Sequence, residues 1–417
     1  MRAALLHLPL FILALIQQAT ATATQKQESR CLALQHTLHL ENTTISSVAY
    51  LASPTNVSTP GSCQSTAAVT AAPLCRVQFV VHTSSASAVH AEAWLPDTWF
   101  GRMLALGNGG LGGCIDYANL DYGASLHFAS VASDNGHDGT TGVQFLHHPE
   151  VINDFAFRAV HVETLIGKQI IAAYYTRPAE RAYYLGCSTG GRQGTQAALR
   201  FPADFDGIVA GSPATDFNHL SIWQGILSRD VGAPANPPTP AFLSPVLWGV
   251  VSAEILRQCD GLDGVLDGII TEPDECEFRP EAIQCAAGKQ TNATGCLTPT
   301  QVEAVKKVYT PLFGVDGQLV YPRYSPGAEA DPNQAQIFGG DIFSITLDWA
   351  RFAILNDTNA KLADLSIRDV PFWDSINPGG IATVCTSSDL SALGLKLVQG
   401  SFPTSFSCCQ CRFIGRT

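Results

Sequence analysis

Tyr183-Tyr184-Leu185-Gly186-Cys187-Ser188-Thr189-Gly190-Gly191 is a mostly apolar run that breaks into the pattern G-x-S-x-G. The pattern predicts a strand over Ala182 to Gly186, a sharp turn at Ser188 and a helix over Thr189 to Arg200. So tight a turn strains the serine backbone. Glycines at Gly186 and Gly190 let the neighbouring strand and helix approach without Cβ clashes. The Ser188 hydroxyl then stands exposed at a helix N-terminus, where the helix dipole favours negative charge. The Thr189 amide is placed for a developing oxyanion. Alone, the motif also describes an ordinary Gly/Ser turn. The strand before it, the helix after it and a further strand at Gly207 to Ala210 favour a candidate nucleophile at Ser188.

The flanking sequence repeats this alternation. Val77 to Val81, His90 to Leu95, Arg102 to Leu106 and Phe128 to Ala132 read as strands, and Glu150 to Tyr175 as one long helix. Strands alternating with helices predict an α/β fold with a parallel sheet covered by helices. The strand at Arg102 to Leu106 runs into Gly107-Asn108-Gly109-Gly110-Leu111-Gly112-Gly113. A loop this rich in glycine can bring a second amide to the oxyanion, from Gly109 or Gly110. It lacks the Gly-Lys-Ser/Thr ending of a phosphate-binding loop.

Beyond this region the texture changes. Residues 24 to about 75 are rich in Thr, Ser and Ala and read as an irregular strap. Residues 216–384 are rich in Pro, Asp and Gly and read as an inserted domain. Within it Thr298, Pro299 and Gln301 spell a capping box, with Leu297 and Val302 as the staple. The expected organisation is a signal peptide over 1–23, a core with its strap over 24–215, the insert over 216–384, and an incomplete return to the core over 385–417.

Composition narrows the function. The net charge of -12 supplies no basic footprint for nucleic acid. Arg2, the apolar run Ala3 to Ile16 and small-x-small sites around Ala19 to Ala23 predict a cleaved secretory signal. That run is too short for a good membrane span. The 13 cysteines fit an oxidising compartment, and no zinc-type pair of CxxC motifs occurs. Pairing among Cys31, Cys63, Cys75 and Cys114 stays open, with two bridges from strap to core expected. Sequons at Asn42, Asn56, Asn292 and Asn356 fit export and glycosylation.

Several separate motifs, in order, resemble the fungal tannase and feruloyl esterase family. They are Trp99-Phe100-Gly101-Arg102 leading into Gly107-Asn108-Gly109-Gly110, Asp134-Asn135-Gly136-His137, and Gly186-Cys187-Ser188-Thr189-Gly190-Gly191-Arg192-Gln193. Asp206-Gly207-Ile208-Val209-Ala210-Gly211-Ser212-Pro213-Ala214, the aspartate-rich loop from Cys259 to Gly268, and Tyr321-Pro322-Arg323 complete the set. The resemblance implies an α/β-hydrolase core with a large lid inserted after Ser212-Pro213-Ala214. It implies a secreted enzyme that hydrolyses esters of plant phenolic acids, ferulates or gallates, free or linked to polysaccharide. Ser188 matches the family nucleophile. Cys187 matches a cysteine that the family bridges to one directly after the catalytic histidine. The aspartate-rich loop resembles a structural calcium site, with carboxylates from Asp260, Asp263 and Asp267 and carbonyls from Val265 and Ile269; such hard oxygen donors suit calcium. The resemblance pairs Cys259 with Cys276, and Cys285 with Cys296 looks like the next bridge. No organic cofactor is implied.

The chain departs from the family at its end. α/β-hydrolases run Ser, then Asp or Glu, then His, yet no histidine follows His219. Asp389-Leu390-Ser391 begins the family's approach to the catalytic Asp, but Val398 to Thr417 is unlike the family, as though read from another frame or an intron. The expectation is a truncated product that lacks the core's C-terminal strands, bares a sheet edge and hydrolyses poorly. His137 and His219 are the remaining histidines near the site, expected as structural or substrate-contacting groups. The rival expectation is a catalytically silent, ligand-binding product of the same gene.

Overall fold

The computed structural model describes residues 24–60, 62–63, 68–235, 238–286, 295–329, 334–382, 395–400 and 411–416. The strands are β1 Thr43–Leu51, β2 Leu74–His82, β3 Ala88–Pro96, β4 Arg102–Leu106, β5 Ala129–Ser133, β6 Arg181–Cys187, β7 Gly207–Gly211, β8 Leu395–Gly400 and β9 Cys411–Arg416. They form one nine-stranded sheet in the order β1-β2-β3-β5-β4-β6-β7-β9-β8. The four strands β5, β4, β6 and β7 are parallel. Pairings on both flanks are antiparallel.

Burial explains the strand sequences. The parallel strands are covered on both faces, so β4 after Arg102 and all of β5 are apolar or small and buried. On one face Val77, Phe79, Ala93, Met103 and Val131 pack under three helices: α1 (residues 24–37), α3 (Ala159–Tyr175) and α4 (Thr189–Arg200). On the other, Leu74, Trp94, Leu104, Leu106 and Ala132 pack under α2 (Tyr117–Ser125). The result is a three-layer α/β sandwich of the α/β-hydrolase type.

Three expectations are corrected. The strap is ordered: it holds α1 and the edge strand β1, whose Thr- and Ser-bearing positions are half-exposed. Bridges Cys31–Cys75 and Cys63–Cys114 tie it to the core. The long helix is also not continuous. Pro149–Asn153 passes through a π-helical turn at Asp154–Arg158 before α3 begins. Finally, the parallel run does stop at β7, but the edge is not bare, because β9 pairs antiparallel with β7 and β8 with β9.

The insert contributes α5 (Phe217–Asp230), α6 (Pro245–Cys259) and α7 (Pro299–Val308). The capping box at Thr298 and Gln301 is present. Cys259–Cys276 and Cys285–Cys296 are bonded. The insert shares one apolar cluster with the core: Leu111, Phe145, Ile152 and Phe155 pack with Phe217, Trp349, Phe352 and Trp373. Among the described residues no helix is long and apolar enough to cross a membrane.

Candidate active site

Ser188 caps α4 with φ +59° and ψ -117°, a region that L-residues rarely occupy, and its side chain makes no capping bond. The strain is held by backbone hydrogen bonds. The Ser188 amide donates to the Gly211 carbonyl at 2.9 Å, and the amides of Arg192 and Ala214 donate to the Ser188 carbonyl, each at 3.0 Å. The residue is exposed. The close approaches expected of the glycines are present. A Cβ at Gly186 would lie 2.7 Å from Gly190 backbone atoms, and one at Gly191 would lie 2.3 Å from the Gly211 carbonyl oxygen.

Thr189 is the first residue of α4, so its amide has no intrahelical acceptor. Its hydroxyl donates to the Gly110 carbonyl at 2.6 Å. The glycine loop is thereby fastened beside the elbow. The Gly109 and Gly110 amides donate no hydrogen bond, and Gly109 is exposed. The structure thus brings together Ser188, Thr189, Gly109 and Gly110. Cys187 stands exposed next to them.

Neither nearby histidine is set up as a general base. His137 is buried, its Nε2 sits 2.6 Å from the Leu111 carbonyl, and burial pushes its pKa down. His219 lies between two carboxylates, Nδ1 2.9 Å from Asp216 and Nε2 3.0 Å from Asp374. The Asp216 hydrogen bond leads in raising its pKa to about 9. The imidazole is therefore a charged clamp between α5 and the helix Val370–Ile376 rather than a proton acceptor.

Behind the elbow lies a charge that sequence reasoning did not foresee. Arg192 is fully buried, with no carboxylate among its hydrogen-bond partners. Its guanidinium donates to the Ala156 and Phe155 carbonyls of the π-helical turn, at 2.7 and 3.1 Å, and covers the Phe155 ring. Burial lowers its pKa to about 9, so it stays a cation at neutral pH. Buried amides at Asn108, Asn135 and Gln193 were also missed. An isolated buried amide leaves no periodic signal in a sequence.

The aspartate-rich loop is exposed. Asp260 accepts the Gly268 amide at 3.0 Å, Asp267 accepts the Ile269 amide at 3.0 Å, and Asp263 accepts the Val265 amide and the Thr271 hydroxyl at 2.9 and 2.6 Å. Among the described residues only one oxygen each of Asp260 and Asp267 accepts a bond. The donor chemistry suits calcium. Among the described residues, however, no three acidic, His or Cys side chains converge as a metal site. Asn42, Asn56 and Asn356 are exposed, and Asn292 lies outside the described residues.

Residues 75–357 match the sequence model of the family "Tannase and feruloyl esterase". The chain belongs to the tannase and feruloyl esterase family. It is 40% identical over 379 residues to the probable feruloyl esterase B-2 of Neosartorya fischeri, an alignment covering 90% of this chain and 71% of that one. It is 38% identical over 380 residues to feruloyl esterase C of Talaromyces stipitatus, covering 90% and 70%. Among solved structures, feruloyl esterase B from Aspergillus oryzae superposes with a TM-score of 0.83 at 37% identity, covering 88% of this chain and 72% of that one. The tannase and feruloyl esterase family consists of carboxylic ester hydrolases, and this chain is of that type.

Proposed function

We propose that the chain is a secreted enzyme that acts on feruloyl or galloyl esters, free or polysaccharide-linked, through an acyl-enzyme on Ser188. The observation that carries this reading is the exposed, strained Ser188 next to a glycine loop that the Thr189 hydroxyl holds in place. Ser188 Oγ forms a bond to the ester carbonyl carbon, and the carbonyl oxygen gains negative charge. The Thr189 amide, with Gly109 or Gly110, meets that charge. Collapse expels the alcohol and leaves the acyl group on Ser188; water then releases the acid. In most such enzymes a histidine carries the protons of both steps. His137 and His219 are engaged elsewhere, so neither takes that part, and a serine hydroxyl without such a base is a poor nucleophile. Four disulfides, three exposed sequons and the apolar leader support export.

The acyl-enzyme is testable by mass spectrometry of protein quenched in acid after exposure to methyl ferulate. The expected result is a feruloyl group on the peptide carrying Ser188, absent from Ser188→Ala. Hydrolysis that persists unchanged in Ser188→Ala would sink the nucleophile assignment. No adduct and no hydrolysis, with ferulate still bound, would favour the silent ligand-binding product.

Asp260, Asp263 and Asp267, with the Val265 and Ile269 carbonyls, are proposed to hold a structural calcium ion that would neutralise this loop. Adding calcium after chelation is expected to raise Tm, and Asp260→Asn with Asp267→Asn to remove the shift. A Tm insensitive to calcium in the unaltered chain would refute the site.

A further inference from the structure

We propose that Gln193 is the positioning residue of the oxyanion loop; this deepens, and rests on, the reading of Ser188 as nucleophile. Gln193 lies on the second turn of α4, and only 2% of its surface is exposed. Its side chain has one acceptor oxygen and two N–H donors, and all are used on loops that follow neighbouring parallel strands. The Asn108 backbone amide donates to Gln193 Oε1 at 3.0 Å. Gln193 Nε2 donates to Asn108 Oδ1 at 3.0 Å and to Asn135 Oδ1 at 2.9 Å. Asn108 in turn donates from Nδ2 to the carbonyls of Cys114 and Ser133, at 3.0 and 2.8 Å. Tyr184 donates its hydroxyl to the Gly190 carbonyl at 2.7 Å.

The consequence is geometric. Asn108 directly precedes Gly109 and Gly110, whose carbonyls are held by the Gly112 amide and the Thr189 hydroxyl, so Gln193 fixes the start of the same loop that Thr189 fixes at Gly110. The Asn108 amide is spent inward on Gln193, so the two following amides are left to face outward beside Thr189. The nucleophile and the loop amides are thereby referenced to the same helix. Paired buried amides specify one arrangement and are costly to unpair; Gln193 and Asn108 are fully paired, while Asn135 Nδ2 is left without a partner among the described residues. Gln193 touches no substrate and acts through Asn108.

The test is a double-mutant cycle on the full chain, with Gln193→Ala, Asn108→Ala and the pair, each checked for an intact melting transition. Ser188-dependent kcat is expected to fall about 100-fold in either single variant, with KM within roughly twofold, since only a transition-state contact is displaced. The pair should lose little beyond the worse single, because the two residues act as one unit. Gln193→Met keeps the length but has neither the donors nor the acceptor, and should show the same fall in kcat where Gln193→Ala folds poorly. A folded Gln193→Ala with unchanged kcat, or losses that multiply in the pair, would overturn the assignment. Should Ser188→Ala match the unaltered chain, the nucleophile reading fails instead. If turnover of the unaltered chain is too slow to divide, amide exchange decides. Exchange at the Asn108 and Gly112 amides, which are bonded to Gln193 Oε1 and to the Gly109 carbonyl, should quicken roughly tenfold or more in Gln193→Ala while β6 is unchanged; unaltered exchange would overturn the proposal.

Discussion

Gly191→Ala is expected to lower Tm by roughly 3–4 °C and to remove Ser188-dependent hydrolysis with it. The added Cβ would sit 2.3 Å from the Gly211 carbonyl oxygen and 2.7 Å from the Pro213 Cα. Both are backbone atoms, so no side chain can swing aside. Overpacking against a yielding core costs about 1–3 kcal/mol, and a backbone obstacle sits at or above the top of that range. The atoms that must move are those that hold the elbow, because the Gly211 carbonyl accepts the Ser188 amide and Ala214 donates to the Ser188 carbonyl. Gly249→Ala is the control. That helical glycine has nothing within 4 Å of its would-be Cβ, so alanine should stabilise by about 0.5–1 kcal/mol. Thermal melts of both variants check the pair; equal Tm values for Gly191→Ala and the unaltered chain would contradict the packing described.

Glu163→Gln should flatten the pH dependence of stability. Glu163 lies on α3, fully buried beside the Ser133 hydroxyl, and burial holds its carboxyl well above the usual range, with the Asp134 carboxylate adding to the shift. In the unfolded chain the group ionises near pH ~4.3. Between that value and its folded pKa the folded state binds the extra proton, so stability falls as pH rises, by about 1.4 kcal/mol per pH unit for one proton. The contribution is complete below the unfolded pKa and is lost as pH climbs through the folded one. Glutamine has nearly the same shape and no proton to lose. The variant should therefore melt higher than the unaltered chain at pH 8 and no higher at pH 4. Parallel Tm–pH curves for the two proteins would refute it.

Much of this was legible because the chemistry sits in backbone-forming patterns. The elbow combines an apolar strand, small residues and a helix start, and each part constrains the backbone. The Thr298 cap was equally readable, since capping needs a particular side chain at a particular offset. The strap was misread because β1 is an edge strand. Half-exposed positions such as Thr43 and Ser47 blur the alternation that betrays a covered strand. The π-helical turn before α3 escaped because one extra residue per turn barely disturbs apolar spacing. Gln193 was visible within a motif, but its task was not: nothing in the sequence says that its amide meets Asn108 and Asn135, far from it along the chain.

The apolar cluster joining Phe155 and Phe145 to Trp349 and Trp373 has a kinetic corollary. A door must break few contacts to open, whereas this insert is welded to the sandwich by tilted and edge-on aromatic rings. The insert then takes its seat against the sandwich once, at folding, and keeps it. Water–oil boundaries would give no burst of activity.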